Sequence, residues 1–341
     1  MSVGVFVKGI SLIGLFAVTA AASYFQFSDK PVVITLRPNA TTSEIQHALN
    51  VLPASGGAVV LPPGIYDVTA PIILSHDHQT LRGSGKTTVL RLADNANCPV
   101  IVMGEPVNHP KNIVKDLHVA NLVIDGNRRN QQTELWNISG EGHYIRNNGI
   151  TVQSVSDSTI EHVTTSRCRS GGVVTTLGVE NLTVRDLNSY DNQFDGLACY
   201  LTTHSTFADL FLHDNPGAGI SLDLSFQNNV VSNALLAAND LGIFMRSSRG
   251  NKFEDVSIRN CHHFGVFMAH SERKTKNGWQ ATPNSECVNN SFRNISAMNC
   301  GGAAFRINNS TCTNNVIVEA NFDKNLKGGL SLATPDLVTL Q

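Results

Sequence analysis

Gly196-Leu197-Ala198-Cys199 and Gly219-Ile220-Ser221-Leu222 are two copies of one phrase, and the same phrase opens at Gly149, Gly172, Gly242 and Gly265. The spacings between successive openings are 23, 24, 23, 23 and 23 residues. Each unit runs from its Gly through a short apolar strand, an Asn-rich corner and a second strand to another Asn near the next Gly. A fixed period in the twenties, with short β runs and no helical pattern, marks a solenoid of stacked coils. Leu-x-x-Leu-x-Leu is missing from the units, which excludes the leucine-rich alternative. The fold expected is all-β, a single-stranded parallel β-helix.

Composition agrees with that reading. Of 341 residues, 41% are hydrophobic but only 6% aromatic, with 27 Gly. A solenoid keeps one continuous core at a length where globular chains divide. The formal net charge of −2 and the lack of a basic run give no footing for nucleic acid.

Outside the repeat, Lys8, the apolar stretch Ile10 to Ala22 and the small residues Ala20-Ala21-Ala22 have the build of an export signal, too short to span a bilayer comfortably. Residues 1–28 are therefore assigned as a signal peptide and 29–341 as the β-helix domain of a secreted or periplasmic protein, with no other membrane segment. Ser43 with Gln46 suggests a capping box. Ile45, Ala48, Leu49 and Leu52 fall on one face of a short helix, which would cover the open apolar end of the solenoid.

Seven cysteines leave at least one unpaired. Cys287 and Cys312 recur at one place in adjacent coils, as do Cys261 and Cys300, and stacking allows either disulfides or neighbouring free thiols. The corner residues Asn192, Asn215, Asn239, Asn260 and Asn299 are expected to form hydrogen-bonded ladders. Gly83-Ser84-Gly85-Lys86-Thr87 lacks the earlier glycine and the following helix of a phosphate loop. No tight acidic cluster or calcium nonapeptide is present, so neither metal nor cofactor is assigned.

In each opening the residues one and three after Gly point inward, so those two and four after it face solvent. With Gly302 as the next opening, the fourth-position row reads Gln153, Thr176, Tyr200, Asp223, Arg246, Ala269, Arg306. At about 4.8 Å per coil, Tyr200, Asp223, Arg246 and Arg306 are the candidate catalytic residues. Phe244 and Phe267, side by side in the second-position row, are candidate binding residues. Two long excursions interrupt the coils, one before Gly149 with Arg128, Arg129, Trp136 and His143, and one from His270 to Glu286 with Arg273, Lys274, Lys276 and Trp279. Loops on a rigid scaffold concentrate function, which adds His270, Trp136 and Trp279 as binding candidates. Aromatic faces beside an acid and guanidiniums suit an acidic polysaccharide. His262 and His263 sit at a corner and are alternative bases. For hydrolysis, Asp191 and Asp214 stack in a turn ladder, and Asp195 lies about 16 Å along the strand direction from Asp223.

The helical cap, Leu61-Pro62-Pro63-Gly64-Ile65-Tyr66, Leu81-Arg82-Gly83-Ser84-Gly85, Ile124 to Asn130 and Tyr190-Asp191-Asn192-Gln193-Phe194-Asp195-Gly196 resemble the pectate-lyase-like right-handed β-helix superfamily. Within it the chain is similar to the catalytic module of mannuronan C5-epimerases over residues 40 to 330. The resemblance implies a right-handed coil and lyase or epimerase chemistry on a uronate polymer. It departs at the catalytic motif. Where that family carries Asp-Pro-His-Asp/Glu this chain has Val174-Thr175-Thr176-Leu177, the second acid falls on Tyr200, and the His before the next Gly falls on Ala218. The competing readings are a non-catalytic glycan-binding or structural β-helix and a glycoside hydrolase. The end beyond Gly329 could pair with a second subunit.

Overall fold

A computed structural model describes residues 32–136, 145–276 and 278–340, so the assigned signal peptide and His143 lie outside the described residues. The described chain is a parallel β-helix of the expected right hand. Its first sheet is opened by the repeated glycines, and Ile150, Val173, Leu197, Ile220, Ile243 and Val266 form one register row across six neighbouring strands. These residues and the ones two further on are fully buried, because the strand period of two sends both to the core. Among the described residues that sheet has 12 strands, and a second sheet of 14 closes the coil.

Each long strand of the second sheet bends in its middle. Asp186, Asp209, Asn233, Asp255 and Asn294 adopt the left-handed conformation there, with φ between 49° and 55°, and the pairing register skips them. Asp and Asn accept this conformation at low cost. Asn233 donates to Asp209 at 2.6 Å and Asn294 to Asp255 at 2.6 Å, tying corner to corner.

Buried amides brace the other corners. Asn192 donates from its backbone and side chain to Asn215 Oδ1, and Asn215 does the same to Asn239. The ladder continues through Cys261 and Cys300 rather than Asn260 and Asn299. Those two asparagines sit one residue earlier, at left-handed corner positions with φ of 56° and 57°. A second ladder, Asn229, Asn251, Asn290 and Asn315, runs along another corner. All seven cysteines are buried and unbridged. The thiols of Cys261 and Cys300 donate to the Arg259 and Met298 carbonyls, that of Cys287 donates to Ala269 O, and Cys287 N donates to Cys312 Sγ at 3.4 Å.

At one end the helix Thr42–Asn50 packs Ile45, Ala48 and Leu49 on the core. Its cap is Thr41 with Glu44, two residues before the Ser43 and Gln46 pair expected. Gln46 joins the helix to the first sheet instead. Its amide accepts from Ile73 N at 2.8 Å and donates to Ile73 O at 3.0 Å, as a neighbouring strand would.

The repeat slips once against expectation. Val266 pairs with Phe305 and Phe267 with Arg306, so Ala304, not Gly302, opens that coil. Gly301 and Gly302 belong to the corner, where a Cβ on Gly302 would meet the Phe264 ring at 2.5 Å. Arg306 therefore joins the second-position row beside Phe267 and leaves the row of Tyr200.

Candidate functional site

Second-position residues of the first sheet point away from the core, yet Thr151, Val174, Ala198 and Ser221 are buried. Thr151, Val174 and Ala198 form the floor of a groove. Two contiguous cavities of about 320 and 390 Å³ occupy it, sharing Arg146, Val174 and Tyr200. Ile145, Asn148, Gln153 and Leu177 help line the first; Phe194, Asp195, Asp223 and Leu224 help line the second.

Arg146 reaches the groove because residues 134–136 and 145–147 run antiparallel before Gly149. Leu135 and Arg146 form an antiparallel bridge, and Trp136 N donates to Ile145 O at 2.8 Å. The guanidinium pairs with Glu134 and lies 5.7 Å from the Phe194 ring centroid. The aromatic face and the Glu134 carboxylate together hold the guanidinium at the groove.

Asp195 and Tyr200 line the second cavity together with that cation. Asp195 Oδ1 accepts from Ala218 N at 2.7 Å. Burial pushes its carboxyl up to about 6, against that hydrogen bond and the Arg146 charge. The Tyr200 phenol is pushed up to about 12 by burial and then by the negative Asp195, while a hydrogen bond with Ser221 opposes the shift. Two titratable groups in one pocket thus hold opposite roles at neutral pH: one ionised, one protonated.

The next rungs match the expected row. Tyr200 pairs with Asp223, and Asp223, 6% exposed, accepts from Arg246 at 2.5 Å and from Leu224 N at 2.8 Å. The Arg246 guanidinium lies 5.0 Å from the centroid of Phe244, which stacks on Phe267 at 5.8 Å and 5°. Tyr200, Asp223, Arg246, Phe244 and Phe267 are therefore one surface. Arg306 lies a coil beyond Phe267 and donates to Ser331 and Asn308.

Other candidates are placed elsewhere. His270 is tied to Thr311, Glu272 and Asn309 at the base of the second excursion. Trp136 is half-buried against the core. Trp279 sits on the strand Gly278–Ala281 of a two-stranded hairpin, its side chain outside the described part. His263 pairs with Asp240 at a corner. Asp191 is bound by Arg128, and Asp214 by His213.

Sequence reasoning missed Arg146 and Asp195. Asp195 was visible in the Phe194-Asp195-Gly196 phrase, but the strand-direction distance set it apart from Asp223. In the structure both carboxylates border one cavity and both act on the Tyr200 hydroxyl. No sequence signal places Arg146, because the fold of its loop does.

Residues 111–299 match the family described as periplasmic copper-binding protein (NosD). No curated protein matches the chain significantly in sequence. Among solved structures, the mannuronan C-5 epimerase AlgE4 A-module of Azotobacter vinelandii superposes with a TM-score of 0.61 at 17% identity, covering 90% of this chain and 97% of that one. An alginate lyase from Paenibacillus sp. str. FPU-7 gives 0.59 at 12% identity, covering 90% and 99%. The gene product 12 N-terminal fragment of bacteriophage Phi29 gives 0.64 at 15% identity, covering 89% of this chain and 53% of that one. At these identities the likeness is one of fold.

Proposed function

The chain belongs to the NosD family, and from that premise we propose that it is an exported protein, periplasmic or secreted, that acts on a uronate-containing glycan by lyase or C5-epimerase chemistry. One observation carries this reading: Arg146, Asp195 and Tyr200 converge on one groove. The epimerase module and the alginate lyase that share the fold make alginate a first substrate to try.

Removing the C5 proton of a uronate builds negative charge on its carboxylate, so the site needs a cation, a base and an acid. Arg146, exchanging its pairing with Glu134, holds the carboxylate. Asp195, ionised above about pH 6, takes the C5 proton. Tyr200 keeps its proton at neutral pH and delivers it, to the leaving glycosidic oxygen in elimination or to the opposite face of C5 in epimerisation. The Asp223–Arg246 pair and Phe244 extend the groove for neighbouring sugars.

Copper, named in the family description, does not fit the described residues. No group of three or more His, Cys, Asp or Glu side chains among them stands where it could hold a metal ion, and every thiol is buried. No step here runs through a metal.

Absorbance near 235 nm during incubation with uronate polymers, together with proton NMR of the recovered polymer, tests the reading. Wild type should produce unsaturated ends or a changed C5 configuration, and Tyr200→Phe or Arg146→Ala should lower the rate by about a hundredfold or more. Binding without either product would instead support a non-catalytic glycan-binding role, which the engagement of Arg246 by Asp223 favours.

A further inference from the structure

Next to Thr176, Tyr200 and Asp223, three successive coils place a leucine in the left-handed conformation. Leu177 has φ 55°, Leu201 49° and Leu224 49°. The coils on either side carry Ser154 and Ser247 at this position, both also left-handed. Bulky apolar residues rarely adopt this backbone, and strain of this kind gathers at binding sites. Leu201 is 39% and Leu224 54% exposed, so core packing does not account for them. Leu177 borders the first cavity and Leu224 the second, Leu201 between them faces a separate pocket with Ile113 and Gly178, and Val174 and Ile145 add apolar surface to the first cavity. A plain polyuronate offers hydroxyls and carboxylates to such a wall.

Resting on the uronate reading of this groove, we propose that the preferred polymer carries acetyl groups, as O-acetyl esters or acetamido substituents, whose methyl groups lie against Leu177 and Leu224. Acetyl suits the dimensions. Leu177 and Leu224, two coils apart at about 4.8 Å per coil, and cavities of about 320 and 390 Å³ accommodate small apolar groups repeated along a chain. The charged groups Arg146 and Asp195 leave no apolar tunnel for a long acyl chain.

The test uses two matched pairs: O-acetylated alginate against the same sample after mild alkaline deacetylation, and hyaluronan against its N-deacetylated form. Binding is measured calorimetrically for wild type and for the triple variant Leu177→Asn, Leu201→Asn, Leu224→Asn, since Asn suits the left-handed backbone and keeps the fold. Wild type should prefer the acetylated member of one pair by about tenfold, the scale of one small apolar group in a pocket, and that pair identifies the linkage. The triple variant should bind both members of that pair alike. Equal binding of both members by wild type, or a preference retained by the variant, overturns the acetyl inference alone. Failure of wild type to bind any member overturns the uronate reading with it.

Discussion

The Asp195 carboxyl is raised to about 6 by burial, well above its unfolded value near 3.9. A group whose folded value is raised in this way costs stability where it is ionised, so the cost is absent below about pH 4 and complete above pH 6. Two units correspond to about 3 kcal/mol, which partial exposure of the residue reduces to about 1–2 kcal/mol. Asp195→Asn should therefore raise the unfolding free energy by that amount at pH 7.5 and by almost nothing at pH 4, while removing the base. Thermal unfolding of both proteins at the two pH values checks it. Catalysis in wild type should fall as pH drops through about 6. Leu224→Asn relieves a strained, exposed leucine and should stabilise by about 1 kcal/mol, read from the urea midpoint. Tyr200, Asp223 and Arg246 were legible as neighbours because translation from coil to coil preserves register. Asp195 and Arg146 were not, since a corner and a refolded loop fix where they point.

Among elements, the amide ladder offers the sharpest test. Asn215 is 1% exposed, accepts from the Asn192 backbone and side chain, and donates to Ser189 O and Asn239 Oδ1. Asn215→Ala would strand several buried polar groups at once, at a cost of about 3 kcal/mol, measured by urea unfolding. The ladders were readable from recurring Asn, but Asn260 and Asn299 stand one position before the rung, since Asn serves left-handed corners as readily as buried rungs. Gly302 misled for a related reason. Glycine marks close approach at a corner as well as the start of a strand, and only pairing distinguishes them. The helix itself was evident from Ile45, Ala48 and Leu49, while its boundary depended on Thr41 finding Glu44.

For the molecule as a whole, every coil leans on its neighbours, so stability is a sum of intrinsic and adjacent-coil terms. Phe253 stacks on Phe292 at 4.6 Å inside the coil, and Phe253→Ala should cost about 3–5 kcal/mol in chemical denaturation. The seven buried, unbridged thiols should be silent toward a thiol reagent in the native protein and give seven equivalents once unfolded. A lower count would overturn the unbridged state.

The hairpin of Glu272–Thr275 and Gly278–Ala281 hangs between two rungs of the second amide ladder. Asn229 N reaches Asn251 at 3.0 Å across 22 residues, and Asn251 N reaches Asn290 at 3.1 Å across 39. The scaffold does not register how much chain leaves and returns between those rungs. Because closing a loop twice as long costs only about 0.6 kcal/mol, this is a permissive insertion point, where foreign sequence can be displayed beside the groove without rewriting the coils that hold it.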